Sequence, residues 1–185
     1  MRSIQFINET ESEIYVDVRD EEGLSYYTHF SSHKQVSRYY VLGEEFLILT
    51  EEIGQIPWEV GSELKKVGNF VCRKATTNFR GRKWNVWFTE EIPIPAGPWK
   101  LNGLPGLITE AEDETKTFYF YLEKISQYNG PVAIKPPAKG TKIQGWDEYC
   151  KLVKTRLNRL KKYLESQEGI SVNISLDNTI EKIDN

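Results

Sequence analysis

The sequence predicts a mainly β protein of the α+β kind: a curved, half-barrel-like antiparallel sheet with one long amphipathic helix near the C-terminus. Three observations lead there. Apolar and polar residues alternate through most of the chain, the period of strands with one buried face. Turn residues such as Gly43, Gly81 and Asp113-Glu114 stand between those runs. From Trp146 onward the spacing changes to three and four residues, the stripe of a helix.

The elements follow in order. Ile14, Val16 and Val18 alternate with Tyr15, Asp17 and Arg19, a half-buried strand. Residues 20–23 form a turn, and 24–30 read as the return strand. Residues 38–42 and 46–50 form a hairpin closed at 43–45. Residues 69–78 and 82–90 are the clearest pair, joined at Phe79-Arg80-Gly81, and 106–112 pairs with 117–124. Trp84, Val86 and Phe88 share one face of their strand, as do Phe118, Phe120 and Leu122 of theirs; Trp87, Tyr119 and Tyr121 lie on the opposite faces. A Pro- and Gly-rich loop runs from 128 to 145. Trp146, Tyr149, Cys150, Val153, Leu157, Leu160 and Leu164 then mark a helix over about 146–167, with Asp147 and Glu148 at its positive end and Gly169 as terminator. Residues 171–176 alternate as a final strand and 177–185 read as a loose tail. One domain is expected over 1–176.

Composition narrows the function classes. Of 185 residues, 39% are apolar and 12% aromatic, which excludes a disordered chain. The longest apolar runs, such as 46–49, are far too short for a transmembrane helix. Charge is uneven: residues 1–60 carry a net −8 and residues 61–100 a net +5. Internal complementarity explains this as readily as an anionic partner. With a pI near 5.6 and no recognition motif, nucleic-acid binding is not expected. Cys72 and Cys150 show no disulfide framework and no CxxC pattern. His29 and His33 could hold a metal on a helix, but Tyr26, Tyr27, Thr28 and Phe30 favour a strand there; no metal and no cofactor is expected.

The central block, 58–113, is the distinctive part. It contains Cys72-Arg-Lys-Ala75, Phe79-Arg-Gly-Arg82, Glu91-Ile-Pro93, Gly97-Pro98 and Gly103-Leu104-Pro105-Gly106-Leu107-Ile108, in that order. Over roughly 56–125 this resembles the GLPGLI family, whose name is the segment at 103–108. The resemblance implies an exported bacterial envelope protein of unestablished function, encoded beside outer-membrane transport genes, with no agreed catalytic residues. An outer-membrane transport protein is the partner it implies. The chain departs from the family's pattern in opening without an apolar leader. The expected location is therefore periplasmic or outer-membrane-associated if a leader has been removed, and cytoplasmic otherwise.

Candidate site residues come from the same block. Arg80 and Arg82, beside the turn glycine Gly81, could clamp a carboxylate or phosphate, or pair with Glu90, Glu91 or the acidic N-terminal third. Trp87, Tyr119 and Tyr121 form a ligand-facing wall or a second apolar contact under the helix. Gly81, Gly103, Leu104, Pro105, Gly106, Leu107 and Ile108 read as structural, with Leu104 and Leu107 pointing inward as plugs. Cys72 is the block's one candidate nucleophile; Lys74 on the same face could lower its pKa, yet a thiol in a strand more often packs. No catalytic residue is assigned. The expected function is non-enzymatic binding, of a partner at the outer membrane or of a ligand on the concave sheet. The alternative is a hydrolase or processing enzyme using groups around the Arg80–Glu91 hairpin.

Overall fold

A computed structural model describes residues 3–7, 13–17, 23–41, 45–52, 54–127, 129–130, 133–166 and 180–183. The protein is mainly β with one helix, and its sheets do not close into a barrel. The described strands fall into three sheets rather than one. The chain divides into two compact units, Met1–Ile53 with Ile134–Val172, and Gly54–Ala133 with Asn173–Asn185.

In the first unit, β1 (Ser3–Ile7) and β2 (Glu13–Asp17) pair antiparallel with each other. The strand expected to return along β2 is β3 (Ser25–His29), but it pairs instead with β4 (Lys34–Val41). A single turn of 3-10 helix, Phe30–Ser32, links them, and the His29 ring accepts the Ser32 N–H. β4 forms the expected hairpin with β5 (Glu45–Glu52) in a longer register, Lys34 opposite Glu52. Three further strands were not evident from alternation. β6 (Glu59–Val67) lies in a segment to which the pattern assigns no element, β11 (Thr141–Gln144) lies in the expected loop, and β1 precedes the first alternating run. β11 adds parallel to β5. The helix α1 (Trp146–Glu165) packs on β5 and β11, burying Tyr149 and Val153 from the predicted stripe. The Tyr149 ring sits 5.0 Å from that of Tyr39. The basic face of α1 meets the acidic N-terminal third where Arg156 bonds Glu45. The turn at 43–44, Gly169 and the strand expected at 171–176 lie outside the described residues.

The second unit is a five-stranded antiparallel sheet in the order β10-β9-β8-β7-β6, completed by β7 (Phe70–Phe79), β8 (Arg82–Thr89), β9 (Leu107–Asp113) and β10 (Tyr119–Tyr121). The β7–β8 turn is Arg80-Gly81, with φ of +53° and +72°. Both central residues of a tight hairpin of this twist need positive φ, so the glycine is placed where the turn demands it. The alternation in β8 is realised: Trp84, Val86 and Phe88 are buried with Ala75, Leu101, Leu104, Ile108 and Ala111. Each such large side chain contributes about 1.5–3 kcal/mol through removal from water. Phe79, Trp99, Trp84 and Phe120 stack in sequence along this core, with neighbouring centroids between 5.4 and 6.3 Å apart.

Residues 90–106 cross from β8 to β9 as the proline-rich, non-helical segment expected. Leu107 and Ile108 donate back to Ile92 and Ala96, so the segment is tied to the sheet by backbone bonds. Of the two predicted plugs, Leu104 is buried, but Ile108 and not Leu107 is the second. The reason is a bulge. Trp87 faces Glu110 and Phe88 faces Ile108, leaving Thr109 as the extra residue and shifting the side-chain alternation by one. Within the expected loose tail, the described residues 180–183 are held. Ile180 packs on the core, Glu181 is 4% exposed, and the Lys182 N–H donates to the Arg80 carbonyl.

Candidate functional site

The register of the five-stranded sheet brings the three nominated aromatics onto one face. Tyr121 stands opposite Glu110, which stands opposite Trp87, which stands opposite Lys74. The next row is Tyr119, Glu112, Asn85, Thr76. Because directly paired residues share a face, this is the outer face, away from the Trp84 core. Tyr119 and Tyr121 are 55% and 64% exposed, so neither lies under a helix. Their rings stack at 5.9 Å and 29°.

Trp87 is half-buried, because Lys65 lies over it. The Lys65 ammonium is 4.5 Å from the Trp87 ring and 2.5 Å from Glu110 Oε2. A second pair, Lys74 with Glu63 at 2.8 Å, closes the β6 side. Lys65 and Glu110 were missed in the sequence because β6 carries Gly61 and a run of charges, and its register jumps between Val60 and Leu64. The alternation of Lys65 with Leu64 was the available signal.

Arg82 is a correction. It is not an apex cation open to a ligand: its side chain is 2% exposed and bonds Asp113 at 2.8 Å, below the Phe118 ring. The partner this places beside it, Asp113, was not among the carboxylates the sequence suggested. Burial opposes ionisation of Asp113, but hydrogen bonds from Thr115 and the Phe118 N–H, with the Arg82 charge, outweigh it and hold the carboxyl below its ordinary value. Arg80 is half-buried with its guanidinium 5.5 Å from the Phe79 ring. The two arginines therefore do not form a clamp.

Two groups of the hydrolase reading, Glu91 and Cys72, are similarly engaged. Glu91 accepts the Val71 N–H at 2.7 Å. Cys72 is fully buried, and burial pushes its thiol up rather than Lys74 drawing it down; Thr109 Oγ1 lies 3.3 Å from its sulfur. Cys72 and Cys150 are not joined in a disulfide. Among the described residues no cluster of three metal-ligating side chains occurs, and no helix is long and apolar enough to cross a membrane. In the first unit an open hollow of about 310 Å³ is lined by Tyr26, Tyr27, Lys135, Pro136 and Pro137, with one charge among its lining residues.

Comparison with known proteins adds little chemistry. Residues 81–110 match a family described as a protein of unknown function, Porph_ging. No curated protein matches the chain. Among solved structures, PNGF-II in a C2 crystal form is similar at 13% identity and a TM-score of 0.47, over 80% of this chain and 28% of that one. The same protein in a P21 form gives 12% identity and a TM-score of 0.46, over 76% and 27%. The chain thus spans little more than a quarter of the length of the solved chains it matches.

Proposed function

We propose that the chain is a non-enzymatic binding module of the bacterial envelope, capturing a partner protein on the outer face of its five-stranded sheet. The exposure of Tyr119 and Tyr121 beside Trp87 carries this reading. Rigid aromatics offer large contact area at little entropy cost, and Tyr and Trp are the residues on which binding energy concentrates. Covering each exposed ring contributes on the order of 3 kcal/mol, enough for either to dominate an interface. The flanking pairs Lys65–Glu110 and Lys74–Glu63 supply a polar rim. The envelope location and a transport-protein partner at the outer membrane rest on the GLPGLI resemblance.

The test is a photo-reactive residue placed at 121 in living cells, with position 64 as an exposed control. A discrete protein adduct from 121, absent from 64 and lost with Tyr119→Ser, is expected in the envelope fraction. Adducts of equal yield from both positions, or none from 121, would overturn the reading.

A further inference from the structure

The two edges of the five-stranded sheet are built differently. β6 is guarded: its register breaks between Val60 and Leu64, and Glu63, Lys65 and Lys66 stud it with charge. Bulges and lysines are devices that discourage another strand from pairing. β10, at the other edge, is Tyr-Phe-Tyr, with no charge, proline or bulge. Its hydrogen-bonding direction is fixed by its flanks. The Phe118 carbonyl accepts from the Asp113 N–H, and the Leu122 N–H donates to the Thr109 carbonyl. Backbone groups alternate direction along a strand, so Phe118, Phe120 and Leu122 bond toward β9. Tyr119 and Tyr121 therefore direct their N–H and C=O groups out of the open edge, while their rings stand on the outer face.

Lys116 and Lys124 flank β10 in sequence, but the face that carries the tyrosine rings is acidic beside this edge. Glu110 is neutralised by Lys65, but Glu112, opposite Tyr119, and Glu123, two residues past Tyr121, enter no ion pair among the described residues. We propose that the open edge of β10 docks a basic extended segment of the partner protein, added antiparallel as a sixth strand. This rests on the outer-face reading and specifies its mode. Main-chain bonds to Tyr119 and Tyr121 supply affinity, as in other strand additions. Alternate Lys or Arg side chains of the incoming strand lie over the two tyrosine rings and reach Glu112 and Glu123. Its other face extends the apolar row of Phe118, Phe120 and Leu122.

The probe is a capped synthetic heptapeptide of alternating lysine and valine. In an antiparallel pair with Tyr119 and Tyr121 the lysine amides point at β10 and the valine amides point away. N-methylation of the valines should leave binding intact, and N-methylation of the lysines should weaken it by about tenfold or more. With the full chain, NMR should show slowed exchange at the Tyr119 and Tyr121 amides and none at Phe120. Equal binding of both methylated isomers, lost in the Tyr119→Ser, Tyr121→Ser variant, would overturn strand addition while leaving the aromatic face standing. Binding unaffected by that double variant would remove both. A peptide with glutamate for lysine binding as tightly would overturn the basic occupant, as would no perturbation at millimolar peptide. Self-association through the same amides without peptide would make a second copy the occupant and likewise overturn the proposal.

Discussion

Arg82 and Asp113 form a buried ion pair at 2.8 Å, with 2% and 1% of their side chains exposed. They join β8 to β9 beneath the hairpin whose apex carries Arg80. Removing one partner strands a charge where water cannot reach it, which costs about 3–5 kcal/mol. Arg82→Ala should therefore lower unfolding free energy by about that amount in urea denaturation. Arg80→Ala, at a half-buried site, should cost clearly less. Equal losses would show that the pair is not what holds this corner.

The Asp113 carboxyl is held below its ordinary value, and that links the pair to acid stability. A carboxylate with a depressed folded pKa contributes stability that is present above its unfolded pKa, about 3.9, and is lost as pH falls through the folded value. Wild-type stability should thus fall below about pH 4 more steeply than that of Asp113→Asn. Parallel pH profiles for the two proteins would contradict this.

Gly106 and Gly103, alike in the motif, should not respond alike. A Cβ at Gly106 would stand 2.0 Å from the Thr89 carbonyl oxygen, so the crossing segment must move away from the sheet. Gly106→Ala should cost about 3 kcal/mol or more. Gly103 has φ of +89° and open space about it, so Gly103→Ala should cost only about 1 kcal/mol, from backbone strain. Melting temperatures of the two variants test the order.

The thiols should separate in reactivity. Burial raises the Cys72 pKa and closes it from reagent, whereas Cys150 is half-buried on α1. Titration of the native protein at neutral pH should modify Cys150 first and Cys72 only on unfolding. Prompt modification of Cys72 in folded protein would restore it as a candidate nucleophile.

The chain end should matter to the second unit. Lys100 and Glu181 pair at 2.6 Å with 1% and 4% exposure. Glu181→Ala should destabilise by about 3 kcal/mol, and the double change Lys100→Met, Glu181→Leu should recover much of it. A single variant with an unshifted melting curve would mean that residues 180–183 do not hold the core.

Local order was legible from residue types alone. The alternation of Trp84, Val86 and Phe88, the outward placement of Trp87, Tyr119 and Tyr121, the Arg80-Gly81 turn and the stripe through Tyr149 and Val153 are properties of near neighbours. Period, turn chemistry and helix spacing act over a few residues, and burial of one face follows from them. Pairing between distant segments was decided by the tertiary structure. β3 pairs with β4 rather than β2, and β11 joins β5 in parallel, because several segments offered equivalent edges. The bulge at Thr109 exchanged Ile108 for Leu107 in the core, a one-residue slip invisible to a periodic pattern. Arg82 looked like a binding residue for the same reason. Its partner lies 31 positions away, and only the alignment of β8 with β9 places Asp113 beside it. An ion's role depends on what register sets opposite it, and register is a property of the whole sheet.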